Sequence, residues 1–473
     1  MCSMITFFCS PARPRLILER RDSHKPRWAT TFLVLVLGVL FSGAIGAVAQ
    51  DSAHLDVEGR VSSEYASLFQ LYRHLHANPE LSFHEVNTSE RLQQELRNVG
   101  FEVTGNVGGH GLVGVLRNGA GPTVMIRTDL DALPVTEQTG LEYASRVKTK
   151  DDQGNEVGVM HACGHDLHMT CFVGAARVLS HLKDRWRGTV MMVGQPAEER
   201  GSGAKAMLAA GLFQKFPKPD YVLALHDDAT LEAGKVGVIE GPALAGTSSV
   251  DLTIRGVSGH GAWSYTAKDP IVLSAQIILG LQTIVSREMR AIDPAVVTVG
   301  SIHGGTKHNI IPDEVQLQLT IRFFSDAIRA QLVAGIERIA NGMAQAAGVP
   351  PGREPTVRVR ETESIGPTIN HPELTRRVGS AMERSLGKNN VVLRDPVMGG
   401  EDFGYFGRTA ENIPICMFWL GAVNREKIDE SRKPGGKPLP SLHSSVYAPA
   451  PEPAIKTGVQ AMAATALDLL GKR

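Results

Sequence analysis

The sequence predicts an α/β fold: a mixed, largely parallel sheet covered by helices and split by a smaller inserted domain. Three observations predict it. Short apolar or β-branched runs alternate with helical stretches from about residue 112 onward, the pattern of strand–helix–strand units. Near Gly241 that pattern gives way to a compact β-α-β-β-α block and afterwards resumes. At 473 residues the chain also exceeds what one hydrophobic core ordinarily organises, so two domains are expected.

Residues 1–49 read as a signal peptide. Arg13, Arg15, Arg20, Arg21, Lys25 and Arg27 form a basic lead, and an apolar run follows from Thr30 to about Ile45. Ala47-Val48-Ala49 then supplies the small-x-small pattern of a cleavage site, leaving Gln50 first. A periplasmic or secreted protein is the expectation. The alternative is an uncleaved membrane anchor, because Ala29–Ala49 is just long enough to span a bilayer. Cleavage leaves Cys163, Cys171 and Cys416, which is no disulfide framework; a pairing of Cys171 with Cys416 stays open.

Residues 50–245 form the first part of the larger domain. A helix around Glu58–His76 carries Leu68, Leu71, Tyr72 and Leu75 at helical spacing and stops at Asn78-Pro79. A second helix, roughly Asn87–Val99, closes at Gly100. Strands are expected at Leu112–Leu116, Thr123–Arg127, Thr189–Val193 and Tyr221–Leu225, with helices near Met169–Leu182 and Ala204–Ala210. Residues 246–350 form the inserted block, with strands at Thr247–Ile254, Ala295–Ile302 and Gln316–Arg322 and helices at Pro270–Ser286 and Ala327–Ala346. Residues 351–473 return to the larger domain, with helices at Pro372–Leu386 and Ala454–Leu470 flanking a strand at Pro414–Trp419.

Lys+Arg and Asp+Glu both count 49, and that balance argues against a nucleic-acid binder, which would be basic. The chemistry concentrates instead in His161-Ala162-Cys163-Gly164-His165-Asp166. A thiolate and an imidazole two residues apart suit zinc, manganese, cobalt or nickel, and Asp166 is positioned to orient a ligand imidazole. Two ligands do not make a site. Glu198-Glu199, His226 and His443 are the sources for the rest, and the first two follow strand ends, where sites gather in open α/β sheets. After Pro196, adjacent carboxylates can diverge, one toward a metal and the other toward water.

The ordered motifs MHACGHDLHM, GQPAEER, LALHDD, GVSGHGAW, KHNIIPDEV, MGGEDFGYF and SLHSSVYAP resemble the aminoacylase/carboxypeptidase superfamily of two-metal amidohydrolases. With LYRHLHANPELSFHE and MIRTDLDALP, they look most like the branch of auxin-conjugate hydrolases, hippurate hydrolases and N-acetyl-diaminopimelate deacetylases. The resemblance runs from about Ser62 to the end. It implies that Cys163, His165, Glu199, His226 and His443 hold two divalent metals, with Cys163 the bridging ligand. It implies that Glu198 is the general base, taking a proton from activated water and giving it to the leaving amine. His260 resembles a histidine that reaches a neighbouring subunit's site and stabilises the oxyanion, which makes the block a lid and homodimerisation domain. Asn309 and Arg322 resemble substrate-holding residues, Arg322 through a carboxylate.

The resemblance thus implies hydrolysis of an N-acyl amino acid or small amide, or dipeptidase or carboxypeptidase action on the same site. Two other classes compete. A binding protein on this fold would be expected to lose Glu198 or a ligand, and none is lost. A nucleophilic Cys163 with His165 fits less well than metal, given the carboxylate pair. The chain departs from the family pattern at Trp263-Ser264-Tyr265, at Phe323-Phe324 after Arg322, and at Ser444–Pro453; these positions bear on the substrate.

Overall fold

The computed structural model describes residues 56–472, so the expected signal peptide lies outside the described residues. Helices α1 (residues 56–77) and α2 (Val86–Asn98) lead into strands β1 (Glu102–Thr104), β2 (Leu112–Asn118) and β3 (Thr123–Asp129). After α3 (His165–His181) come β4 (Trp186–Gln195), β5 (Tyr221–Glu232) and β6 (Val236–Val238). The smaller sheet follows, with β7 (Gly246–Arg255), α4 (Pro270–Thr283), β8 (Val296–Gly304), β9 (Glu314–Phe323), α5 (Asp326–Ala346) and β10 (Thr356–Ile365). The chain returns through α6 (Pro372–Leu386), β11 (Val391–Leu393), β12 (Ile415–Val423) and α7 (Pro451–Leu469).

The large sheet has the order β1-β2-β4-β3-β5-β12-β6-β11. Its four central strands, β4, β3, β5 and β12, run parallel, while β2 is antiparallel to β4 and β6 antiparallel to β12. Strands covered on both faces read as continuous apolar runs, and every residue of β12 is buried. On one face α3 and α7 lie against each other at small residues: a Cβ at Gly174 would overlap Val459, and one at Gly458 would overlap Cys171.

The smaller sheet is built differently. Burial alternates strictly along β7 and nearly so along β9, so one face is apolar, and α4 and α5 cover it with Ile277, Leu281, Leu332 and Ile336. Asp269 caps α4 by accepting from Ile271 and Val272, and Ser325 caps α5 by accepting from Ile328. The sheet order is β8-β9-β7-β10.

Two sequence expectations need correction, and one open question is answered. The smaller sheet extends beyond residue 350, because β10 pairs antiparallel with β7; its charged alternation, with Arg358, Arg360, Glu361 and Glu363, hides a strand. His226 lies within β5 and not after it, since β5 outruns its last pair with β3, Arg127↔Ala224, and continues against β12. Cys171 and Cys416 do not pair: both are buried free thiols, Cys171 against the Ile455 carbonyl and Cys416 against the Thr375 hydroxyl.

The α3–α7 contact makes a prediction. Helix propensity alone favours Gly458→Ala by about 1 kcal/mol, but forcing a methyl between Cys171 and Leu420 costs about 1–3 kcal/mol. The thermal midpoint of Gly458→Ala should therefore fall. An unchanged or raised midpoint would show that those neighbours yield.

Candidate metal centre

Gly164 opens α3 with a φ of 72°, and a Cβ there would collide with the Asp227 carboxylate. Glycine is therefore required between Cys163 and His165. The turn sets both side chains at the carboxyl edge of the sheet, where Cys163 Sγ lies 3.6 Å from His226 Nε2 on β5. Glu198 and Glu199 stand on a single 3-10 turn after β4, entered through Ala197 at a φ of 50°. His443, at a φ of 66°, is held by its N–H donating to the Ala162 carbonyl at 2.8 Å. Its Nε2 lies 3.6 Å from Glu199 Oε2.

The six residues singled out in the larger domain thus converge. Cys163, His165 and His226 form one triad whose donor atoms lie within 4.8 Å of one another, and Cys163, Glu199 and His443 form another. Cys163 belongs to both. Two donor sets sharing one sulfur are what a bridging thiolate between two cations requires.

The electrostatics fit the same reading. His165 Nδ1 bonds the Asp131 carbonyl at 2.8 Å, and His226 Nδ1 bonds the Asp227 carbonyl at 2.8 Å. Each carbonyl demands the proton on Nδ1 and leaves the Nε2 lone pair facing the centre. His165 Nε2 and Glu199 Oε1 are buried and have no hydrogen-bond partner among the described residues. Glu199 Oε1 and Glu198 Oε2 lie 3.8 and 3.9 Å from His165 Nε2. Burial pushes the Glu199 carboxyl up to about 7. It pushes Glu198 well above the carboxylate range, with Glu401, Glu199 and Asp402 adding repulsion. Cations at the two triads would relieve this crowding of carboxylates. Burial, with Glu199 adjacent, also pushes the Cys163 thiol up, which disfavours a free nucleophilic thiolate.

A surrounding layer escaped the sequence reading. Asp131 accepts from the Glu198 and Glu199 N–H groups at 3.1 and 3.0 Å and from Ser82 Oγ at 2.6 Å. His168 lies between Asp129, at 2.9 Å, and Asp227, at 3.1 Å. Burial pulls the His168 imidazole down, but these carboxylates outweigh it and raise it to about 9. Tyr447 donates to Asp227. The motif strings LYRHLHANPELSFHE, MIRTDLDALP, MHACGHDLHM, LALHDD and SLHSSVYAP contained these residues, but nothing in their spacing distinguished them, and a carboxylate after a strand has no distinguishing spacing.

Asp166 is the clearest correction. It orients no ligand imidazole; its Oδ2 bonds His76 Nδ1 at 2.7 Å, and His76 Nε2 bonds Glu137 at 3.0 Å. Successive helical residues diverge by roughly 100°, which turns Asp166 toward α1 while His165 faces the centre.

The remaining candidates lie on the smaller sheet's unit. His260 pairs with Ile310, and Gly261 N–H donates to the Asn309 carbonyl at 2.9 Å, so the two share one exposed edge. The His260 ring lies against Trp263, with centroids 4.7 Å apart and the planes tilted by 33°, and its Nδ1 accepts from Ala262 N–H. Arg322, half-buried on β9, donates to the Met398 carbonyl at 3.3 Å. Among the described residues, none of the three side chains hydrogen-bonds a side chain of the metal centre.

Comparison with known proteins agrees with this geometry. Residues 125–436 match the profile of Peptidase family M20/M25/M40. The chain is 36% identical over 365 residues to thermostable carboxypeptidase 2 of Saccharolobus solfataricus, covering 76% of this chain and 87% of that protein. It is 33% identical over 410 residues to N-acetyldiaminopimelate deacetylase of Lactobacillus acidophilus, covering 85% and 98%. The fold superposes with a TM-score of 0.70 and 28% identity on the YXEP protein of Bacillus subtilis, described as a dinuclear metal binding peptidase from the M20 family. That match covers 86% of this chain and 99% of the other.

The His76 bridge yields a pH prediction. Burial lowers His76, but Asp166 and Glu137 raise it to about 10. Its stabilisation is therefore complete below the unfolded value of about 6.5 and is lost as pH rises through about 10. The depressed Asp166 and Glu137 carboxyls lose their share at the acid end. The unfolding free-energy gap between wild type and His76→Gln should be widest near pH 6 and narrow toward pH 10. A gap independent of pH would mean that His76 acts by packing alone.

Proposed function

The chain belongs to Peptidase family M20/M25/M40, and on that premise we propose that it is a metal-dependent amidohydrolase releasing the acyl group of N-acyl amino acids or related small amides. One observation carries the reading: two donor triads share Cys163, and the Glu198 carboxylate stands beside them, 3.9 Å from His165 Nε2. That is the arrangement of a two-cation hydrolase with a separate base. Cys163, His165, Glu199, His226 and His443 would hold the cations, with zinc, manganese, cobalt and nickel all compatible with the donor set. Bound there, the cations would supply Lewis-acid activation of water and of the scissile carbonyl.

Glu198 then takes the proton of the attacking water and returns it to the departing amine nitrogen. Its buried site excludes bulk water, and its neighbouring carboxylates favour its protonated form in the interval between the two transfers. His260 of a second copy donates to the developing oxyanion, with β8, one of the two outer strands of the smaller sheet, as the edge through which a homodimer forms. Asn309 and Arg322 hold the substrate, Arg322 by its carboxylate. The basic lead and apolar run of residues 1–49 support export to the periplasm or beyond. A carboxypeptidase or dipeptidase reading keeps every role and changes only the acyl side; the similarity to a thermostable carboxypeptidase favours including peptides in the substrate panel.

Glu198→Gln should lower turnover by more than about a hundredfold while bound metal is retained, because a base is lost and no ligand. Near-normal turnover would remove Glu198 from the mechanism, and loss of metal would exchange its role with that of Glu199. Chelation should abolish wild-type activity and metal add-back restore it.

Mixing tests the second copy. His260→Ala alone should cut turnover without loss of metal. In a mixed dimer of His260→Ala with Glu198→Gln, one site lacks both groups and the other lacks neither, so activity should reappear on mixing. If His260 serves its own subunit, both sites stay impaired and none returns.

A further inference from the structure

We propose that the buried carboxyl of Glu85 is a positioning residue for Glu198 and Glu199, holding through one oxygen the strained Ala197 turn that presents them. The proposal rests on the roles assigned above to those two glutamates.

Glu85 immediately precedes α2, more than a hundred residues before the turn it touches, and is fully buried. Its Oε1 accepts two backbone N–H groups, from Phe83 at 2.8 Å and from Ala197 at 2.8 Å. Both donors are non-glycine residues with positive φ, 65° and 50°. Among the described residues only five non-glycine residues adopt such values, and two of them hang on this single oxygen. Side chains with a Cβ enter that region only when their surroundings hold them there.

Ala197 is also the first of three successive N–H groups that end on buried carboxyls. Ala197 donates to Glu85, while Glu198 and Glu199 donate to the two oxygens of Asp131. Asp131 has further partners in Ser82 and, through its carbonyl, His165. Glu85 is different: its Oε2 has no hydrogen-bond partner among the described residues. A buried carboxyl with a bare oxygen is costly to keep, and the Ala197 turn is what this one holds. Burial, with the Asp131 carboxylate nearby, raises Glu85 to about 7. The acid form, which still offers an acceptor oxygen, is thus populated at neutral pH. The acceptor matters, and the charge is dispensable.

Without that oxygen Ala197 relaxes toward the conformations its Cβ prefers. Glu198 and Glu199 ride on the same turn and are displaced together, so both proton transfer and metal affinity suffer.

The decisive pair is Glu85→Gln, which keeps an acceptor oxygen, against Glu85→Met, which fills similar space without one. Each is also made with Ala197→Gly, because glycine holds positive φ unaided. Two readouts are taken: kcat and KM on an N-acyl amino acid, and the rise in thermal midpoint as manganese is titrated into the metal-free protein. Glu85→Met should lower kcat by about ten- to a hundredfold, the scale of a misplaced catalytic group. KM should barely move, and the manganese titration should shift to higher concentration. Glu85→Gln should stay near wild type, and Ala197→Gly should recover much of both losses in Glu85→Met.

Wild-type kcat and manganese response in Glu85→Met would overturn the proposal. So would a Glu85→Gln as impaired as Glu85→Met, or a Glu85→Met that Ala197→Gly neither folds nor rescues. If the wild type cleaves no N-acyl amino acid, the functional reading fails, and the manganese titrations still decide the role of Glu85.

Discussion

A single buried guanidinium joins the two separated stretches of the larger domain. Arg127, on β3, donates to Gln195 at the end of β4 at 3.0 Å and to Asp129 on its own strand at 2.8 Å. It also donates to Glu401 at 2.9 Å and to Asp402 at 3.4 Å, residues that enter only after the chain has returned from the smaller sheet. Leaving a buried cation or its carboxylates unpaired costs several kcal/mol, so the Glu401–Asp402 loop is locked to the sheet edge. That loop in turn sets the field at Glu198, because Glu401 and Asp402 are among the groups that push its carboxyl upward. Buried acids outnumber the basic groups along this edge, which is the condition under which divalent metals are drawn in.

The second constraint is backbone geometry. Three of the four segments that face the candidate centre arrive through a residue in the left-handed region: Gly164 before α3, Ala197 before the Glu198 turn, and His443 itself. Tight reversals at strand and helix ends bring side chains from four distant stretches within a few ångströms. Hydrogen bonds that stabilise these reversals also orient candidate ligands, as with His443 N–H on the Ala162 carbonyl and the Glu199 N–H on Asp131. Strain held by surrounding bonds in this way keeps the site organised before substrate arrives.

The smaller sheet is attached by polar contacts. Lys205 Nζ and Tyr405 Oη both donate to the Ser364 carbonyl, at 2.8 and 3.0 Å, while Arg408 pairs with Asp326 at the start of α5. These groups sit where β10 leaves the sheet, which is why the true margin of the smaller unit falls past residue 350. The Trp263 that departs from the family pattern packs against His260, and Ala262 N–H on Nδ1 directs the ring's proton to Nε2. A departure that looked like a substrate feature in sequence is thus also a support for the histidine beside it.

The sequence by itself determined the fold class and the strand–helix order, and its resemblance to a known family pointed to Cys163, His165, Glu199, His226 and His443 as candidate ligands with Glu198 beside them. Apolar periodicity is local and specifies elements, short spacing singles out only Cys163 and His165, and the resemblance supplies the rest. Only the tertiary structure decided that Asp166 faces His76, that Asp131 and Glu85 grip the Glu198 turn, and that Arg127 closes the split domain. It also decided that Cys171 and Cys416 stay apart and that a strand as charged as β10 completes the smaller sheet. The reason is common to all of these. A carboxylate's partner depends on which way its side chain leaves the backbone and on what the fold carries opposite it, and neither is written in the spacing of residues along the chain.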